Sequence, residues 1–212
     1  MRKVIPMLFA AALLATACEK TPDTGNLDDD YLVYTNYDDD TNFAKFTTFY
    51  VPDSVLIIDN SSNKPKYLYG TPASDIIIAS YVKGMESAGY VRTLDKSEAD
   101  LGLQVSYVEE TYKFRYYNNY PWWYGYPWYW NFSYWGDWGG WYWPYDITYS
   151  YSTGSLLGEL VDLTLPEGTS KQLKVVWSSY ISGLLNGDGS LNTTEVTQSI
   201  GQAFSQSAYL KK

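Results

Sequence analysis

The chain predicts an α+β domain: an antiparallel sheet with two helices packed on one face and a long aromatic-rich insertion between strands. Two segments, after Thr71 and after Asn192, join an N-cap residue to apolar positions at helical spacing. Others, clearest from Leu101 to Tyr107, alternate apolar and polar residues with period two. The resulting order of strand, strand, helix, strands, helix fits a sheet with both helices on one side. At 212 residues this is one domain plus appendages. Residues 1–17 are a leader, 18–30 a tether, and 31–212 the domain, with the insertion at 112–151.

Arg2 and Lys3 form a short positive region, and Val4 to Ala17 is an apolar run too short to span a bilayer as a permanent helix. This is the pattern of a cleaved export signal. It ends Leu14-Ala15-Thr16-Ala17-Cys18, with small residues running into the only cysteine of the chain. A lone cysteine in an exported protein has no internal disulfide partner, and its position directly after the signal selects attachment. The stretch resembles the lipobox of bacterial lipoproteins, with Ala15 where the box usually has Leu and Leu14 one residue earlier. The resemblance implies that Cys18 becomes the N-terminus and carries fatty acyl chains of the palmitate class. Three such chains, at about 0.8 kcal/mol per buried CH2, exceed what stable anchoring requires. Residue 19 is Glu rather than Asp, which by the same resemblance points to the outer membrane. The periplasmic face and the cell surface both stay open, because the acidic run Asp28-Asp29-Asp30 comes late after the cysteine. The acidic tether, Glu19 to Asp30, would reach about 40 Å fully extended.

Tyr31 to Tyr37 is β-branched and aromatic, a strand that the Asp38-Asp39-Asp40 triplet interrupts. Phe46 to Val51 is a second strand, stopped by Pro52. Thr71 as N-cap and Pro72 at the first helical position start a helix expected to run to Ser87 and end at Gly89. Ile77, Ile78, Tyr81, Val82 and Met85 form its core stripe. From Leu101 the alternation sets Leu101, Leu103, Val105 and Tyr107 on one face, with Gly102, Gln104 and Ser106 on a face expected to be wet. Two more strands are expected at Leu156–Leu165 and Leu173–Ile181, with Trp177 in the core. Asn192 with Glu195 makes a capping box for a last helix, ending near Ala208 with Val196, Ile200, Ala203 and Phe204 inside.

Between these strands lies the segment from Tyr112 to Tyr151, which holds every tryptophan except Trp177. Rings at this density, interleaved with Gly and Pro, cannot all be buried within about forty residues, so part of the segment must face something else. The element order, with Asp40-Thr-Asn-Phe43-Ala-Lys-Phe46-Thr-Thr-Phe49, Gly89-Tyr90, Glu98-Ala-Asp100-Leu, Gly154-Ser-Leu-Leu-Gly-Glu-Leu-Val-Asp162 and Lys174-Val-Val-Trp177, resembles the small bacterial lipoproteins of domain-of-unknown-function family 4136. The resemblance spans about Tyr31 to Tyr209. It implies a Tyr/Trp/Gly-rich loop in mid-domain and supplies no catalytic or ligand-binding residues.

The formal charge of −9, with no basic run, excludes nucleic acid and anionic lipid surfaces as favoured partners. The chain has no histidine, which removes the commonest base and metal ligand. Once Cys18 is acylated no thiol remains. Asp137 and Asp146 are the one carboxylate pair placed to suggest glycoside chemistry, and their sequence proximity does not establish the spacing that chemistry needs. The Asp38–Asp40 triplet and the Asn186-Gly-Asp-Gly-Ser190 loop read as a solvated strand end and a turn, not calcium sites: position six of the loop pattern is Leu191, not Gly. No cofactor or metal is expected, and no enzymatic activity. Trp122, Trp123, Trp128, Trp130, Trp135, Trp138, Trp141 and Trp143 are the candidate binding residues. They suit contact with an envelope protein, stacking on a glycan, or contact with the membrane interface, unless the segment packs only on itself.

Overall fold

In the computed structural model the described residues are 31–58, 66–109, 141–142, 144, 153–164 and 173–212, with the backbone path alone described at 141–142. In chain order they form β1 (Leu32–Tyr37), β2 (Thr48–Tyr50), β3 (Ser54–Ile58), β4 (Lys66–Tyr69), α1 (Pro72–Ser87), β5 (Val91–Arg92), β6 (Leu101–Val108), β7 (Trp141–Tyr142), β8 (Ser155–Asp162), β9 (Leu173–Ser182) and α2 (Thr193–Gln206). The class is α+β, as expected.

Both helices start and stop where their caps direct. Thr71 Oγ1 accepts from the Ser74 amide at 3.1 Å while Ser74 Oγ accepts from the Thr71 amide at 3.0 Å, and Pro72 follows at the position where its missing N–H costs nothing. Gly89, at φ +100°, turns the chain out of α1. Asn192 caps α2 by accepting from the amides of Thr194 and Glu195. That helix ends at Gln206, and the expected last residue, Ala208, opens a 3-10 turn to Leu210.

The sheet is antiparallel through its long members: β6 pairs β8, β8 pairs β9, and β9 pairs β1. It is mixed as a whole, which corrects the expectation of an antiparallel sheet. β2 and β3 run parallel to β6, β5 parallel to β2, and β7 parallel to β9. β2 and β3 precede α1 and their parallel partners follow it, so α1 supplies the long crossover that parallel pairing needs. β3 and β4, an antiparallel pair, have no counterpart in the sequence-based reading.

Both helices cover one face. The Tyr81 hydroxyl on α1 lies 2.9 Å from Ser179 Oγ, and Trp177 Nε1 donates to Ser207 Oγ at 2.9 Å beside the Phe204 ring of α2. Ile77, Met85, Leu101, Leu103, Leu160, Trp177, Ile181 and Ile200 fill the layer between, as the stripes predict. Trp177 is a core residue. A register shift at Leu160/Val161 interrupts the alternation of β9, so the core takes Val176, Trp177 and Ile181 from it, not Leu173 or Val175.

The other face is not wet. Gln104 is 8 % exposed, and Ser106, Ser155, Glu159 and Ser178 are at most 2 % exposed, with Leu157, Val161 and Tyr180 buried among them. The expectation of solvent there fails because period two reports that a strand has two unlike faces; it does not report which are covered.

Candidate functional site

The built polar feature of the described residues is that second face. The registers set Gln104 of β6 opposite Glu159 of β8, Glu159 opposite Ser178 of β9, and Ser178 opposite Asn36 of β1, a polar row across four strands. Side chains directly opposite in antiparallel pairs stand about 5 Å apart at Cβ, within mutual reach. The next row is Ser106, Leu157, Tyr180 and Tyr34, and Ser155 Oγ donates to Tyr180 Oη at 3.2 Å. A carboxylate as enclosed as Glu159 persists only with polar partners, and none of Asn36, Gln104, Glu159, Ser178 and Tyr180 lacks one. Across the sheet Tyr81 stays a neutral phenol: burial pushes its pKa up, the Ser179 hydrogen bond opposes this weakly, and the negative charge of Glu159 adds to the rise.

The acidic triplet after β1 has a structural use. Asp38 is buried, pairs with Lys174 of β9, and accepts from the Thr41 hydroxyl. Burial alone would raise its pKa, yet the Lys174 and Thr41 hydrogen bonds and the Lys174 charge hold its carboxyl below the usual range. Asp39 and Asp40 are exposed beside it. Asp100 accepts from the amides of Thr47 and Thr48, and Asp162 from Lys45 Nζ at 2.9 Å and from Thr164. In the 186–190 turn the Asp188 carboxylate accepts from the Ser190 amide at 2.9 Å. These acids fasten loops and strand ends to one another.

Of the candidates taken from sequence, Cys18, the tether 18–30, Trp122, Trp123, Trp128, Trp130, Trp135, Trp138, Trp143, Asp137 and Asp146 lie outside the described residues. Trp141 is described by its backbone, as the first residue of β7, opposite Leu173. The row of Gln104, Glu159, Ser178 and Asn36 escaped sequence reasoning. Its one signal was Glu159, a lone acid inside the apolar run Leu156 to Val161.

The fold and this face define a small α+β domain with a helix-covered apolar side and an enclosed polar side. The model of the domain-of-unknown-function family DUF4136 matches residues 33–207, and the chain belongs to that family. It is similar to a crystallised DUF4136 family protein from Bacteroides thetaiotaomicron VPI-5482, at 50% identity and a TM-score of 0.76, over 87% of this chain and 99% of that one. More distant are a dodecameric PelC from Paraburkholderia phytofirmans, at 14% identity over 85% and 97% of the two chains with TM-score 0.38, and a DUF330 protein from Xanthomonas campestris, at 11% identity over 84% and 87% with TM-score 0.28. No curated protein matches the chain.

Proposed function

We propose that this is a lipid-anchored envelope protein of the outer membrane, held by acyl chains at Cys18, that has no catalytic activity and works by contact between its Tyr/Trp-rich segment (112–151) and another envelope protein. The distribution of tryptophan carries this reading. Trp177 lies in the helix-side core, and the other eight tryptophans of the sequence fall between positions 122 and 143. Those eight sit in one stretch, in a residue class that anchors protein interfaces. The lack of histidine and the use of Asp38, Asp100 and Asp162 in fastening strands agree with a binding role. A glycan platform is the second reading, since Trp and Tyr faces stack on sugars and the phenols, Asn131 and Asp137 offer hydrogen bonds.

Crosslinking in intact envelopes followed by pull-down separates the two. The protein-contact reading expects one partner captured reproducibly by the native chain and lost when Trp122, Trp123, Trp128 and Trp130 are changed to Ala. Loss of no partner in that variant contradicts it. A shift of tryptophan emission on titration with envelope glycans transfers the role to sugar, and a blue shift with liposomes transfers it to the bilayer.

A further inference from the structure

We infer that the outer edge of β1 is a docking edge for an extended segment of a partner protein, which adds to the sheet as a further strand with its basic end beside Asp39 and Asp40. The register shows which groups are on offer. Asp38, just past β1, donates its amide to the Val176 carbonyl at 3.0 Å, so the bonds to β9 fall on every second residue back from it: Asn36, Tyr34 and Leu32. The N–H and C=O groups of Val33, Thr35 and Tyr37 therefore point away from β9. Tyr37 agrees with this direction, since its amide donates to Asn36 Oδ1 at 2.9 Å and not to the sheet. Among the described residues no strand pairs with the outward amides and carbonyls of Val33 and Thr35, the pattern a guest strand reads.

Edges that stay solitary are short, charged or broken. β5, at the other end of the strand order, has two residues, one of them Arg92, and β4 opens with Lys66. β1 runs six residues without a charge, a proline or a shift of register. Its side chains toward the second face are open at this edge: Leu32 is 59 % exposed and Tyr34 37 %. A guest strand covers both, and β-branched or aromatic residues across from them suit that contact. Charge decides the kind of guest. Asp38 is paired with Lys174, whereas Asp39 and Asp40 are exposed where β1 ends and have no ion pair among the described residues. A segment with an uncharged middle and Lys or Arg at the end beside these acids is attracted to them. A second copy brings no cation, because its β1 is uncharged and leads into the same acids. This contact is separate from the roles proposed for Cys18 and for residues 112–151.

Amide hydrogen exchange, read residue by residue in the full chain, tests this with the peptide acetyl-Lys-Lys-Val-Thr-Val-Thr-Val-amide as probe. Its lysines come first, so antiparallel pairing sets them beside the acids. Without peptide, Val33 and Thr35 should exchange at least about tenfold faster than Tyr34 and Asn36, whose amides face β9. Peptide at about 1 mM should slow Val33 and Thr35 at least about fivefold. The same peptide with Glu-Glu for Lys-Lys should protect less. So should the lysine peptide on a chain carrying Asp39→Asn and Asp40→Asn, a pair of exposed side chains whose change leaves the fold in place. Thr35→Pro removes one outward amide and no bond to β9, and should abolish protection at Val33. That variant also loses the bond from Gln206 Nε2 to Thr35 Oγ1, so if it fails to fold the Asn pair decides. No protection by the lysine peptide overturns the inference, as does equal protection by the lysine and glutamate peptides. Slow exchange of Val33 and Thr35 without peptide overturns it too: if dilution relieves it a second copy holds the edge, and if not the chain itself covers it.

Discussion

Two buried tyrosines show how differently the same hydroxyl can weigh. Tyr81 Oη is hydrogen-bonded to Ser179, itself fully buried, so Tyr81→Phe strands a hydroxyl and should cost about 1–2 kcal/mol. Tyr90 Oη is buried with no hydrogen-bond partner among the described residues. Removing it should leave stability within about 0.5 kcal/mol of the native chain or raise it, because an unmet polar atom is lost. Urea unfolding at pH 7 compares the two. The alkaline limb gives a second reading: burial lifts the Tyr90 pKa to about 12 from its ordinary 10.0, so its share of stability is complete below pH 10 and is lost as pH climbs toward 12. Tyr90→Phe should flatten that limb. At the acid end Asp38, held below the ordinary 3.8, contributes stability above that value and loses it as pH falls through the lower folded value. Asp38→Asn should weaken the fold at pH 7 by about 1–3 kcal/mol, since it leaves the half-buried Lys174 unpaired, and should reduce the slope of acid unfolding. An unchanged slope would remove the ion pair from the account.

At the scale of elements, the clearest constraint lies where the helices cross. Gly84 sits inside α1, where Ala would be favoured by about 1 kcal/mol on propensity. A Cβ there would stand 2.1 Å from Phe204 Cδ2 on α2, inside a packed core. Overpacking outweighs propensity, so Gly84→Ala should lose about 1–2 kcal/mol net, and Phe204→Leu in the same chain should recover part of it. A stabilised Gly84→Ala protein would mean that the helices can separate freely. Elements of this kind were legible from sequence because their signals are local: Thr71-Pro72, Asn192, Gly89 and the stripes through Tyr81 and Ile200 fix start, end and inward face. β3 and β4 were not. Ser54–Ile58 is an apolar run without alternation, and Lys66–Tyr69 has too few residues to show a period. The parallel pairings depend on the path through α1, which no local pattern encodes. Gln104 and Ser106 misled for a related reason: small polar residues on a strand read the same whether water or protein lies above them. The candidate tryptophans were legible as a class, but the row of Gln104, Glu159, Ser178 and Asn36 exists only through register.

For the molecule as a whole, the layers divide the labour. One face of the sheet makes a core with two helices, the other is polar and enclosed, and the first strand, β1, starts at Leu32. In the proposed scheme, cleavage before Cys18 would take Arg2 and Lys3 away and move the charge from −9 to −11 before the new amine is capped. A domain this acidic gains nothing from an anionic bilayer, so the membrane attachment proposed above rests on acylation of Cys18. Fractionation of the Cys18→Ser protein is the direct measurement. The account predicts that it leaves the membrane fraction and that its mass lacks the acyl chains carried by the native protein. Recovery with the membrane at an unaltered mass would contradict it.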